Sequence, residues 1–136
     1  MIYMLDSNAC IAIINKNPVS VRKRMLEIKP ENIFISQIVL YELLFGVCNS
    51  RQKEKNKKNL EHFLRYIQVL DWGKEESKIA SQVRCNLSSI GKKIGHYDTL
   101  IASHALSLGA CIVTHNTKEF KRVDGLVLDD WEIEGS

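Results

Sequence analysis

The first eight residues, Met1-Ile2-Tyr3-Met4-Leu5-Asp6-Ser7-Asn8, decide the fold, because an unbroken apolar run stops at an acid. An apolar run without polar alternation is the pattern of a strand buried on both faces, as strands of parallel sheets are. The same pattern returns at Ile33-Phe34-Ile35 and Cys111-Ile112-Val113. Val69-Leu70 and Gly125-Leu126-Val127-Leu128 are expected to be two further short strands. Helical spacing fills the intervals. Leu60, Phe63, Leu64 and Ile67 share one face, as do Ile79, Val83, Leu87 and Ile90, and then Leu100, Ile101, His104, Ala105 and Leu108. Gly109 falls where a helix should end before a strand, and Gly91 and Gly95 bracket a turn between two helices. The resulting order, β-α-α-β-α-α-β-α-α-β-β, predicts a three-layer α/β/α domain with a mainly parallel five-stranded sheet.

The 136 residues are enough for one domain with a single core, here taken as residues 1–136. Hydrophobic residues make up 45% of the chain and charged residues 26%, which excludes a disordered or fibrous protein. No secretory signal or span of about 20 apolar residues is present, so a soluble cytoplasmic protein is expected. Cys10, Cys48, Cys85 and Cys111 form no paired motif and read as buried free thiols. The formal charge of +3 identifies no partner by itself. Its placement is more informative: residues 51–58 carry five cations against one Glu, while Asp129 to Glu134 is acidic. The basic run is either a solvated helix face or an RNA contact.

In an open parallel sheet, sites collect at the carboxyl ends of strands, where strand order reverses. Asp6 directly follows the first strand, with Ser7 and Asn8 after it. Asn116 lies just past the fourth strand, and Glu119 three residues on. Glu42 falls in the helix after the second strand, with Ser36 placed to cap it and Ile38, Val39, Leu43 and Leu44 as its buried face. Asp98 opens the helix Thr99 to Leu108. Singly, each acid is also explained as a cap, a turn former or a surface charge. Together they form a carboxylate cluster at one sheet edge, which is unfavourable without a cation. Mg2+ or Mn2+ resolves that conflict and brings phosphodiester hydrolysis within reach.

With these positions assembled, the sequence resembles the PIN-domain ribonucleases, and within them the VapC toxins of bacterial type II toxin–antitoxin modules. Four motifs in order carry the resemblance. They are Met4-Leu5-Asp6-Ser7-Asn8; Ser36 with Tyr41-Glu42-Leu43 and Gly46; Gly95-His96-Tyr97-Asp98-Thr99-Leu100-Ile101-Ala102; and Val113-Thr114-His115-Asn116-Thr117-Lys118-Glu119-Phe120-Lys121-Arg122-Val123. The resemblance implies a Mg2+-dependent endoribonuclease that stops translation, with Asp6 and Asp98 as central metal ligands, Glu42 as a further ligand and Glu119 as the fourth acid. Ser7 and Asn116 would hold water or metal-bound oxygens, and Asn8 would fix the loop after the strand. The branch nearest this pattern cuts initiator tRNA in its anticodon loop. The family also implies a homodimer silenced by a VapB-type antitoxin whose C-terminal segment covers the acidic groove, gripped by residues 45 to 66, where Phe45, Val47, Phe63 and Tyr66 are either apolar contacts or core.

Other readings are a catalytically weak PIN-fold module that binds RNA or protein, and a nuclease acting on another RNA. A haloacid-dehalogenase-type phosphatase needs a second Asp where this chain has Asn8, and a receiver domain needs paired acids there and a late Lys. Flap-type nucleases acting on DNA are related in fold but usually much larger.

Overall fold

The buried apolar runs form the centre of a five-stranded sheet in which every pairing is parallel. The computed structural model describes residues 1–133. Its strands are β1 (Tyr3–Leu5), β2 (Ile33–Ser36), β3 (Gln68–Leu70), β4 (Cys111–Val113) and β5 (Val127–Asp129), in the spatial order β3-β2-β1-β4-β5. The chain steps outward from β1 to β3, then returns to lay β4 on the other side of β1. That reversal places the switch point between β1 and β4. Leu5 pairs with Val113 there, and the register delivers Asp6 and Thr114 side by side at the carboxyl edge. Burial follows position: Met4, Leu5, Ile112 and Val113 are sealed, whereas β3 and β5 lie at the sheet margins and are half-exposed.

Among the described residues, seven helices cover the sheet: α1 (Ser7–Asn15), α2 (Val19–Leu26), α3 (Gln37–Cys48), α4 (Lys53–Leu64), α5 (Lys74–Ser89), α6 (His96–Leu108) and α7 (Thr117–Phe120). Asp6 caps α1, so strand and helix are joined by a single residue. Gly109 ends α6 in a left-handed conformation, φ 64°, that costs glycine little. Its N–H bonds Leu106 while that of Ala110 reaches Ala105, the paired bonds of a Schellman ending, and the chain turns directly into β4.

The three-layer architecture and the element order match expectation, with local corrections. Residues 117–120 form a helix that the sequence reading lacked, since a single turn has no periodicity to detect. The last strand begins at Val127 because Gly125, at φ 79°, is a turn residue. Leu44, Ile90 and Leu108 are exposed, as helix ends and a wide face turn them outward. Phe63 is a core residue and no surface contact, whereas Phe45 is 60% exposed. Cys10 and Cys111 are buried, but Cys48 and Cys85 lie on the solvent sides of α3 and α5. Of the acidic tail, Glu134 lies outside the described residues. Among the described residues, no helix is long and apolar enough to cross a membrane.

One buried polar pair fastens α3 to α6. Ser36 Oγ accepts the N–H of Ile38, as expected of a cap, and lies 2.8 Å from His104 Nδ1. Both residues are buried, and Trp72 meets the imidazole edge-on at 5.5 Å. Burial pushes the His104 pKa below the ordinary range, which favours the neutral ring, and a single proton joins Nδ1 to the Ser36 hydroxyl oxygen, its donor set by the ring's tautomer. Ser36→Ala removes the cap and leaves a buried nitrogen unpaired. Urea unfolding should show a loss of about 2 kcal/mol or more with an unchanged m-value. Adding His104→Leu should cost little further, because the orphaned group is then gone.

Candidate active site

Four carboxylates converge from four separate elements on the carboxyl edge of the sheet. Asp6 follows β1, Glu42 stands one and a half turns into α3, Asp98 lies in the first turn of α6 and Glu119 in α7. Three of them are held by neighbouring donors. Asp6 Oδ1 accepts the Ala9 N–H at 2.8 Å, and the Thr114 hydroxyl donates to the same carboxylate. Ser7 Oγ donates to Glu42 Oε1 at 2.7 Å, and Asn116 Nδ2 to Glu119 Oε2 at 2.9 Å. These two donors are separated from their acids by very different stretches of chain, and each engages one carboxylate oxygen.

The electrostatics show that the acids share one space. Burial, then Asp6, Glu119 and Glu42, raise the pKa of Asp98 to about 6, and a hydrogen bond with Glu119 adds to the shift. Burial also raises the pKa of Asp6, against the bonds from Thr114 and Ala9, with Glu42 among the acids that push it further. The N-termini of α1 and α6 bring their positive ends to Asp6 and Asp98, which offsets part of the repulsion. No three His, Cys, Asp or Glu side chains among the described residues close tightly enough to enclose an ion. An open set of oxygen donors still suits Mg2+ or Mn2+, because Mg2+ takes one or two carboxylates and keeps several waters.

Asn8 behaves otherwise than expected. No loop follows β1; Asn8 is the second residue of α1 and is exposed. The residue that steadies this turn is Thr114, which the sequence reading passed over. It is 1% exposed, donates to Asp6 and accepts the Asn116 N–H at 3.0 Å. Its signal was a lone hydroxyl directly after a fully buried strand. His115 was also missed: its Nδ1 lies 2.9 Å from Asp130 Oδ2, and that carboxylate raises the imidazole pKa.

This arrangement, a five-stranded parallel sheet with carboxylates gathered at its switch point, defines a class of acid-cluster nucleases. The chain belongs to the PIN-domain family, whose model matches residues 3–126, and it is a nuclease. It is 43% identical to ribonuclease VapC2 of Rickettsia felis, over 97% of this chain and 99% of that protein. It is 40% identical to the tRNA(fMet)-specific endonuclease VapC of Shigella flexneri, over 95% and 97% of the two chains. Among solved structures it is similar to VapBC2 of Rickettsia felis bound to a promoter DNA fragment, with a TM-score of 0.89 over 96% of this chain and 99% of the other. DNA-bound VapBC of Salmonella typhimurium gives a TM-score of 0.90 at 36% identity, over 96% and 98%.

The raised pKa of Asp98 has a consequence for stability. The folded protein keeps this proton to about pH 6, whereas the unfolded chain releases it near about pH 4. Ionisation therefore opposes folding, with a penalty absent below about pH 4, growing from there to about pH 6 and complete above. Without metal, Asp98→Asn should melt higher than the wild type at about pH 7.5 and level with it at about pH 4. Mg2+ or Mn2+ should raise the melting temperature of the wild type at the higher pH and leave that of Asp98→Asn nearly unmoved.

Proposed function

We propose that this chain is a Mg2+- or Mn2+-dependent endoribonuclease, the toxin of a toxin–antitoxin pair, that stops translation by cutting initiator tRNA in the anticodon loop. One observation carries the reading: Asp6, Glu42 and Glu119 all bear on Asp98 at the switch point, where a shared cation relieves their repulsion. The relatives named as tRNA(fMet)-specific endonucleases, 40% and 36% identical, support the substrate. The VapBC structures support a VapB-type antitoxin as partner. A homodimer acting in the cytoplasm completes the proposal.

Asp6 and Asp98 would hold the metal directly, with Glu42 as a further ligand and Glu119 as the fourth acid. The metal, when bound, supplies Lewis acidity: it lowers the pKa of a water and offsets charge on the phosphate. Thr114 and the Ala9 N–H fix the Asp6 carboxylate before substrate arrives. Ser7 holds one oxygen of Glu42 and Asn116 one oxygen of Glu119, which orients both carboxylates toward Asp98, where either could accept the proton of the attacking water. Arg51, Lys53, Lys55, Lys57 and Lys58 have no ion-pair partner among the described residues and offer RNA phosphates a basic approach.

The antitoxin has a separate place to dock. A groove of about 230 Å³ runs between α1, α3 and α4, with Ile11, Val47 and Leu60 as apolar walls and Glu42 on its lining. An apolar segment ending in Arg fits it, because Arg can pair with a carboxylate in place of a metal.

Purified toxin freed of antitoxin should cut a defined tRNA in the presence of Mg2+ and stop when the metal is chelated. Asp6→Asn and Asp98→Asn should each lower kcat/KM by a factor on the order of a thousand or more while remaining folded. Full activity in Asp6→Asn, or cleavage that survives chelation, would overturn the assignment.

A further inference from the structure

Two of the four acids follow a tyrosine in sequence: Tyr41 precedes Glu42 on α3, and Tyr97 precedes Asp98 on α6. Consecutive helical residues point about 100° apart, so each ring leaves the acid's direction but stays at its level along the helix. From these two helices the rings come together, with centroids 6.0 Å apart and planes inclined at 39°. The two rings pack against each other across the space between α3 and α6. Even so, Tyr41 is 57% exposed and Tyr97 45%. A single exposed aromatic needs no explanation. Two rings packed together beside a carboxylate site, both well exposed, form a surface made in advance of its ligand.

We propose that the Tyr41–Tyr97 pair is a stacking platform for the nucleobase beside the scissile phosphate. The inference rests on the ribonuclease reading and adds to it how the strand is gripped. Proteins that recognise RNA loops take unstacked bases on aromatic side chains, whose π-faces accept any base. The carboxylates and their cation can deal only with phosphate, so something else must hold the base of the same nucleotide. A protein partner is the weaker candidate for this surface. The apolar groove of Ile11, Val47 and Leu60 is lined by neither tyrosine and gives such a partner its own seat.

The test uses a stem–loop RNA containing the mapped cut site, either intact or with one abasic residue placed on either side of the cut. Tyr97→Ala should raise KM about ten- to a hundredfold with kcat close to wild type, since stacking acts alike on bound substrate and transition state. Tyr97→Phe keeps the ring and should stay within about threefold, and Tyr41→Ala should shift KM in the same direction. On RNA abasic at the stacked position, wild type and Tyr97→Ala should have nearly equal KM. If Tyr97→Ala keeps the wild-type KM on intact RNA, or if its defect persists unchanged on both abasic RNAs, the platform is refuted while the nuclease reading stands. A loss confined to antitoxin binding would refute it too and assign the surface to the protein partner. Failure of the wild type to cut any RNA would refute the nuclease reading and the platform with it.

Discussion

Carboxylates held close together in a half-buried space repel one another, and that repulsion organises this molecule. Asp6 is only 5% exposed, and the charge of Asp98 is disfavoured by burial and by Asp6, Glu119 and Glu42. A protein folded for stability alone would not gather four acids at one sheet edge. The surrounding structure limits the cost in two ways. Helix N-termini aim their partial positive charge at Asp6 and Asp98, and neutral donors from Thr114, Ser7 and Asn116 hold Asp6, Glu42 and Glu119. Neither neutralises the cluster, and a cation would relieve the repulsion that remains.

The fold serves this arrangement through its topology. Because β4 returns beside β1, Asp6 and Thr114 leave adjacent strands at the same level and can bond directly. Two other acids arrive on helices whose N-terminal halves lie at that edge, positioned by Ser36 at the start of α3 and by Gly95 before α6. The Ser36–His104 bond joins those two helices through the core. Rigid elements thus set the spacing of Glu42 and Asp98, and the positions need no adjustment by a loop. The metal-free stability given up at the cluster is balanced by a core in which Met4, Leu5, Ile35 and Ile112 are fully sealed.

Much of this was legible in the sequence, for identifiable reasons. Parallel strands at the centre of a sheet are buried on both faces, so Ile2 to Leu5 and Cys111 to Val113 announced themselves. The edge strands were legible as short apolar runs but not in their bounds, since β3 starts at the polar Gln68 and β5 begins after a left-handed glycine. Asp6 and Asp98 could be placed because they stand at element boundaries. Glu42 depended on motif resemblance, as its position inside a helix gives no local cue. Thr114, the Ser7–Glu42 bond and the pairing of His115 with Asp130 arise from contacts between remote segments, which spacing cannot reveal. The burial of Phe63 follows the helical spacing it shares with Leu60, whereas the exposure of Leu44 depends on how α3 packs, which no single helix encodes.

The central claim is that the acids share one space that a divalent ion completes. It is tested most directly by following the Asp98 carboxyl carbon by NMR through a pH titration of the metal-free protein. The midpoint should lie at about 6, fall toward the ordinary carboxylate range in Asp6→Asn, and fall in the wild type when Mg2+ or Mn2+ is added. A midpoint of about 4 that moves with neither the substitution nor the metal would contradict the account.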